Sequence, residues 1–464
     1  MTSIYGDSAV IRRIEAKSSF QKITSNGTIA ASVMVIAALI AVALANSSVY
    51  EHLHEFMEAS LMLGVGSFSM SITFEAFVND FLMAIFFLLV GIELKYEFTV
   101  GQLRKPRQAA LPMLAALGGV LVPALVYLVI NRGGAVHGWA TPIATDIAFA
   151  LGVMSLLGDR ISSETKVFFQ TLAIADDILA IVVIALVYGH APSIPWCIAT
   201  LVVVLLLWGI NRMRVYSCKP YLIVGLVLWV CMYNSGIHAT LAGVILAFFL
   251  PSRSDVRLPA LKDWLSSRAH ELDDKYDDER HVLGQHDFTA GAERVERVMH
   301  HVTPPLQRVE HNISVPVNFL ILPLFAFVNA QVRVVGIDIG AILVDPVTLG
   351  VFFGAVVGKP LGIILVTFVL VKIGFSKLPR HVDWIQVIAV GLMGGLGFTM
   401  SILISGLAFT DPIEIMAAKC AILAGSLTAA VVGIAFVRIA YGMRDKRHPR
   451  IDDADDELDE PSMT

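Results

Sequence analysis

An all-α membrane protein of about twelve transmembrane helices is the fold this sequence predicts, and three observations predict it. The chain of 464 residues is 56% hydrophobic and only 16% charged, with a mean hydropathy of +0.72, outside the balance of water-soluble domains. Apolar runs of about 18 to 25 residues recur along it, each long enough to cross a hydrocarbon core of roughly 30 Å as a helix. The runs do not alternate apolar and polar residues, as the strands of a membrane barrel would over about 10 positions.

The runs are centred near residues 37, 86, 121, 148, 178, 203, 226, 244, 324, 360, 395 and 428. An even number of spans returns both termini to one side. The connections from span two to three (Lys95, Arg104, Lys105, Arg107), six to seven (Arg212, Arg214, Lys219) and ten to eleven (Lys372, Lys377, Arg380) are basic. So is the stretch after span twelve, with Arg444, Lys446, Arg447 and Arg450. The positive-inside rule assigns these, and both termini, to the cytoplasm. The connection 46–80 carries glutamates and no Lys or Arg, as expected of an outer segment. The polar N-terminal stretch precedes an apolar run without a small-residue cleavage signal, so the first run is expected to be retained.

This divides the chain into a cytoplasmic N-terminal segment (1–27), spans one to eight (28–252), a charged cytoplasmic insertion (253–311), spans nine to twelve (312–441) and a cytoplasmic tail (442–464). The insertion, with Asp273, Asp274, Asp277, Asp278 and Glu279, has the composition of a solvated, partly disordered segment. Its histidines read as polar loop residues, with a metal site the alternative. The outer stretch 60–76 alternates around a glycine-containing turn and permits a β-hairpin. Cys197, Cys218, Cys231 and Cys420 lack metal-ligand spacing and read as small buried hydrophobes. The net charge of −5 leaves no nucleic-acid footprint.

Spans four and eleven read as interrupted. Span four places Pro142 and Thr145 ahead of Asp146, and span eleven gathers Gly394, Gly395 and Gly397. Proline removes a backbone donor and clustered glycine weakens a helix, so each span is expected to hold a short extended piece between two half-helices. Such backbone is tolerated at membrane depth only inside protein or a wet cavity. Interruptions at matching places in two halves point to a transport site built from inverted repeats, here spans three to five against ten to twelve.

Asp146, Asp176, Asp177 and Lys359 lie well inside apolar runs. Each costs roughly 2.5–3.5 kcal/mol on insertion scales, so four of them require a reason. One reading is a structural ion pair, and for Lys359 alone packing against a carboxylate or helix end stands equally. The other is an ion path: sodium is a hard cation that takes oxygen ligands, and it competes with protons for the same carboxylates. If each face of the membrane reaches those oxygens in turn, a proton gradient drives sodium the other way with no covalent step and no cofactor. The chain contains no phosphate-binding loop of the nucleotide-dependent kind, so no nucleotide is expected, and no nucleophile and base pair at helical spacing, so no enzymatic reaction is expected.

Several stretches resemble the NhaA sodium/proton antiporter family: NDFLMAIFFLLVGIELKYE (79–97), ATDIAFALGV (144–153), IADDILAI (174–181), SGIHATLAG (235–243), LPLFAFVNA (322–330), GKPLGI (358–363) and GLGFTMSI (395–402). The resemblance covers nearly the whole membrane portion. It implies twelve helices, with helices four and eleven crossing as interrupted segments beside the ion site. It implies that Asp177 is the main sodium ligand, that Asp176 pairs with Lys359 when sodium is absent, and that Thr145 belongs to the site. Asp146 and Lys359 would offset the opposing half-helix dipoles.

It further implies a pH-sensing region of Glu93, Lys95, Glu97, Glu310 and His311, with departures at Tyr96 and Ser314 where the family carries an arginine and a histidine. His238 matches a family histidine linked to pH response and reads equally as a structural hydrogen-bonder. Asp80 matches a family aspartate to which we assign a structural role. The expected cargo is sodium, with lithium, exchanged for protons in the inner membrane of a bacterium, by a homodimer. The alternatives are another inverted-repeat carrier, for example of an organic anion, and an ion or pH sensor that has lost transport.

Overall fold

The computed structural model describes residues 27–65, 68–104, 106–189, 192–254, 256–333, 335, 339–379 and 381–447. The N-terminal segment, the tip of the outer hairpin and the acidic tail therefore lie outside the described residues. Among the described residues, nine helices are long and apolar enough to cross a membrane, and ten if one bent pair counts as a span. Besides that bent pair, two of the twelve expected runs are too short to cross as single helices. The run near 148 is a 3-10 helix, Val136–Ile143, followed by α5, Ile147–Ser155. The run near 244 is a helix of nine residues, Leu241–Phe249. The chain is an all-α membrane protein to which one small hairpin is added.

The chain divides into two compact units. The first comprises Met1–Asn46, Lys105–Ala180 and Ala330–Thr464. It holds α1 (Gly27–Ala45) and α4 (Pro106–Ile130), then the 3-10 helix and α5, and α6 (Ser163–Val187) as far as Ala180. Later in the chain it holds α13 (Ile339–Val344), α14 (Pro346–Lys372), α15 (Trp384–Gly394), α16 (Phe398–Ala408) and α17 (Pro412–Arg447). Its core gathers Met154, Phe169, Leu172, Met393 and Leu396. In lipid no hydrophobic drive brings helices together, so close packing through small residues must do so. Here α4 and α14 cross at Gly118 and Gly362, where a Cβ on either residue would collide with the carbonyl oxygen of the other.

The second unit comprises Ser47–Arg104 and Ile181–Asn329. Its helices are α2 (Tyr50–Glu58), α3 (Phe74–Thr99), α7 (Ile194–Arg212), α8 (Cys218–Ser235), α9 (Leu241–Phe249), α10 (Leu258–Lys275), α11 (His286–Val302) and α12 (Pro305–Asn329). Gly243 lets α9 approach α3 so closely that a Cβ there would strike Ala84 O. Tyr221, Leu228, Trp229, Met232 and Leu246 form the core. Strands β1 (Ser60–Val65) and β2 (Phe68–Thr73) pair antiparallel, from Ser60 opposite Thr73 to Val65 opposite Phe68. The hairpin is shorter than the expected 60–76, because Thr73 caps the next helix: its hydroxyl accepts from Ala76 N at 3.1 Å.

The insertion carries regular structure that its composition does not display. Among its described residues it forms a helical hairpin, α10 and α11, joined by a turn built on buried Gln285. That side chain accepts from Asp277 N at 3.0 Å and donates to Asp277 O at 2.7 Å and Arg280 O at 2.8 Å. Gly291 lies against Leu272, Tyr276 packs on Phe288, and Lys275 pairs with Glu271 four residues back at 2.7 Å. The insertion also ends earlier than 311, because α12 begins at Pro305 and carries Glu310 and His311 on its early turns.

Candidate functional site

Both broken spans lie in the first unit. In span four the backbone leaves the 3-10 helix at Ala144 (ψ 151°) and runs extended to Asp146 (ψ 99°), the N-cap of α5. In span eleven the break falls at residues 395–397, between α15 and α16. Gly395 and Gly397 both have helical backbone angles, and α15 and α16 bend by 41° across residues 395–397. The glycines serve proximity instead: a Cβ on Gly395 would stand 2.7 Å from Ala355 O, and one on Gly397 2.8 Å from Ala144 O. The Asp146 N–H donates to Leu396 O at 2.6 Å, tying one break to the other.

An interrupted helix leaves bare N–H groups at one cut end and bare carbonyls at the other. The Asp146 carboxylate answers two N-terminal ends. Its Oδ1 accepts from Phe149 N at 3.0 Å, in the first turn of α5. Its Oδ2 accepts from Thr399 N at 3.1 Å and from the Thr399 hydroxyl at 2.5 Å, in the first turn of α16. At the carbonyl ends, other side chains approach. Lys359 Nζ donates to Ile143 O, the last residue of the 3-10 helix, and Thr145 Oγ1 lies 3.2 Å from Gly394 O, at the end of α15. An anion at N-termini and a cation at a C-terminus are the favourable signs for both helix dipoles.

Asp176 and Asp177 stand midway along α6, 1% and 2% exposed, and Lys359 is 0% exposed. Lys359 follows directly on a π-helical turn, Gly354–Gly358, in α14. Its ammonium contacts Asp176 Oδ2 at 2.6 Å, and the Thr145 hydroxyl donates to the same oxygen at 2.7 Å. The other oxygen, Asp176 Oδ1, is buried and accepts no hydrogen bond from the described residues. Thr145, Asp176 and Lys359 are thus in direct contact, and Asp146 adjoins Thr145 in the chain.

The residues singled out for pH response lie in the second unit. Glu93 is close enough to Glu97 and Glu310 to feel their charges, and Glu310 feels that of the adjacent His311. Lys95 Nζ donates to Phe248 O at 2.7 Å and Leu250 O at 2.5 Å, closing the C-terminus of α9. Glu97 accepts from Gln102 N at 2.8 Å. His238 Nε2 lies 2.6 Å from Tyr188 O, bonding the α8–α9 join to the end of α6. Asp80 sits in a π-helical turn of α3, and its carbonyl accepts from Trp229 Nε1 at 3.2 Å. The side chain beside it, Asn79, exchanges amide hydrogen bonds with Asn329 at 2.6 and 3.3 Å. Among the described residues no three His, Cys, Asp or Glu side chains converge as a metal-binding group, and the four cysteines are free thiols.

Sequence reasoning missed Thr399. It lies inside the quoted stretch 395–402, but nothing in a hydroxyl within an apolar span marks it for a partner 253 positions away.

Residues 21–437 match the model of the family "Na+/H+ antiporter 1". A protein described as Na(+)/H(+) antiporter NhaA from Janthinobacterium sp. (strain Marseille) is 42% identical over 413 residues, covering 87% of this chain and 89% of the relative. Proteins of the same description from Oleidesulfovibrio alaskensis and Helicobacter pylori (strain G27) are each 40% identical. They cover 89% and 86% of this chain, and 92% and 90% of their own lengths. With its spans, its two interruptions and its buried charges laid out as above, this multi-pass membrane chain belongs to the Na+/H+ antiporter 1 family.

Proposed function

We propose that this chain exchanges sodium for protons across the bacterial inner membrane, with lithium as an alternative cargo and both termini in the cytoplasm. The carrying observation is the buried contact of Lys359 with one oxygen of Asp176 while the other oxygen accepts no hydrogen bond from the described residues. A buried carboxylate oxygen without a donor is a costly arrangement that a hard cation or a proton would relieve.

In this reading sodium is met by Asp176 and Asp177, with the Thr145 hydroxyl alongside. Sodium competes with the Lys359 ammonium for Asp176, and protonation of the carboxylates expels it. Asp146 and Lys359 offset the charges of the cut helix ends, so the crossing withstands the arrival and departure of ions. Glu93, Lys95, Glu97, His238, Glu310 and His311 are assigned to the pH response of the exchange. No covalent step and no cofactor is required, and the reading is of a transporter, not an enzyme.

The test is sodium-dependent collapse of a pH gradient in everted vesicles containing the protein, recorded at several pH values with sodium and then lithium. Collapse that follows added sodium is expected. A correctly inserted chain giving no sodium response at any pH would leave the reading of a sensor without transport. A response to organic anions alone would favour a different carrier.

The β1–β2 hairpin is assigned to dimer assembly. A two-stranded ribbon has open edges, and an open edge pairs with a second copy across a two-fold axis. Deleting 60–73 is expected to give monomers in mild detergent that still exchange sodium for protons. A deleted protein that still migrates as a dimer would place the interface elsewhere.

A further inference from the structure

The two breaks use threonine differently. Thr145 turns its hydroxyl toward Asp176, in the site itself. Thr399, one residue into α16 and 1% exposed, turns both its hydroxyl and its N–H toward Asp146. With Phe149 N on the remaining oxygen, Asp146 takes three donors from two different half-helices. Both carboxylate oxygens are therefore committed to the crossing, in contrast to Asp176, whose Oδ1 accepts none from the described residues.

We propose that Thr399 is a positioning residue for cation binding: its hydroxyl locks Asp146 across the two breaks and so fixes where the adjoining Thr145 hydroxyl meets Asp176. The proposal rests on the exchange reading above. The linkage is short. Thr399 holds the Asp146 side chain, the Asp146 N–H is bonded to Leu396 O, and the preceding residue donates to Asp176. Each bond fixes a torsion that sodium would otherwise have to order on arrival, and a site already ordered binds more tightly. A hydrogen bond to an ionised acceptor in a buried place is of the stronger kind, so its loss is felt. Glycine at 397 supports the same lock by allowing Ala144 O to come close.

The test compares Thr399→Val, which keeps shape and backbone N–H but loses the hydroxyl, with Thr399→Ser, which keeps the hydroxyl and loses a methyl. Both are assayed beside the unmodified chain in everted vesicles, reading half-saturation for sodium separately from maximal rate, with melting in detergent as a check of folding. Valine is expected to raise half-saturation on the order of tenfold with a smaller change in maximal rate, and serine to stay within about twofold of the unmodified chain. If valine cannot be recovered folded, Thr399→Ala removes the same hydroxyl and is compared with serine in its place. Unchanged half-saturation in the valine or alanine variant overturns the proposal. So does a serine variant as impaired as valine, which would assign the effect to packing. An unmodified chain without sodium response would instead overturn the exchange reading itself, so the two failures are distinguishable.

Discussion

Replacing Asp177 by asparagine is expected to abolish sodium-driven proton movement while the protein still inserts and folds. The side chain is buried midway along α6, beside the Asp176 that contacts Lys359. An amide matches the carboxylate in size and retains one acceptor oxygen, so packing within the helix bundle survives. It has no ionised form, and so it can neither take up a proton in exchange for sodium nor present a charge to sodium. Two measurements decide the matter: monodisperse behaviour in detergent comparable to the unmodified chain, and the vesicle response to sodium at several pH values. Near-normal exchange by the asparagine variant would remove Asp177 from the site.

Lys359 is expected to show the second large effect, because its ammonium serves two partners at once. It contacts Asp176 and donates to Ile143 O at the cut end of the 3-10 helix, with no exposure to solvent. Lys359→Ala leaves a buried carboxylate without its cation and a helix-end carbonyl without its donor. Breaking one side of a buried pair costs about 3–5 kcal/mol, so a lower melting temperature in detergent is expected. Without the cation, the ionised form of that carboxylate is less favoured, and proton release requires a lower outside proton activity. Sodium-driven exchange should therefore move to more alkaline pH as well as weaken.

Lys359→Arg keeps the charge and should retain more activity than alanine, although the planar fork is larger than the ammonium it replaces. The space is tight, for the adjoining Gly358 lies against the Pro123 backbone and Gly119 against Ile363. Measured side by side, identical pH profiles and melting for alanine, arginine and the unmodified chain would show that Lys359 takes no part.

The charged residues in apolar runs were legible in the sequence for a simple reason. A carboxylate or ammonium at membrane depth carries a cost no neighbour in the chain can remove, so Asp146, Asp176, Asp177 and Lys359 announce themselves by position alone. The spans were legible because length and apolar composition are local properties. Other features depend on what meets what. Thr399 has the appearance of Thr171, Thr200 and Thr428, each of which donates to a carbonyl four residues back in its own helix. Only the crossing of two broken spans turns its hydroxyl to Asp146.

Composition also left the helices of the insertion 253–311 unread. A high charge content averages away the pattern in which Leu272, Tyr276, Phe288 and Gly291 form the seam between α10 and α11. The glycines of span eleven foretold a break but not its reason. They are read locally as loss of helix preference, whereas Gly395 and Gly397 hold helical angles and are needed for the room they leave to Ala355 O and Ala144 O. The sequence by itself determined that this is an all-α membrane protein with two interrupted spans and four charges that need partners, because burial cost and periodicity belong to each segment alone. Tertiary structure alone decided which oxygen of Asp176 accepts no hydrogen bond from the described residues and which threonine meets Asp146 across the two breaks, because a hydrogen bond exists only where two segments come within about 3 Å of each other.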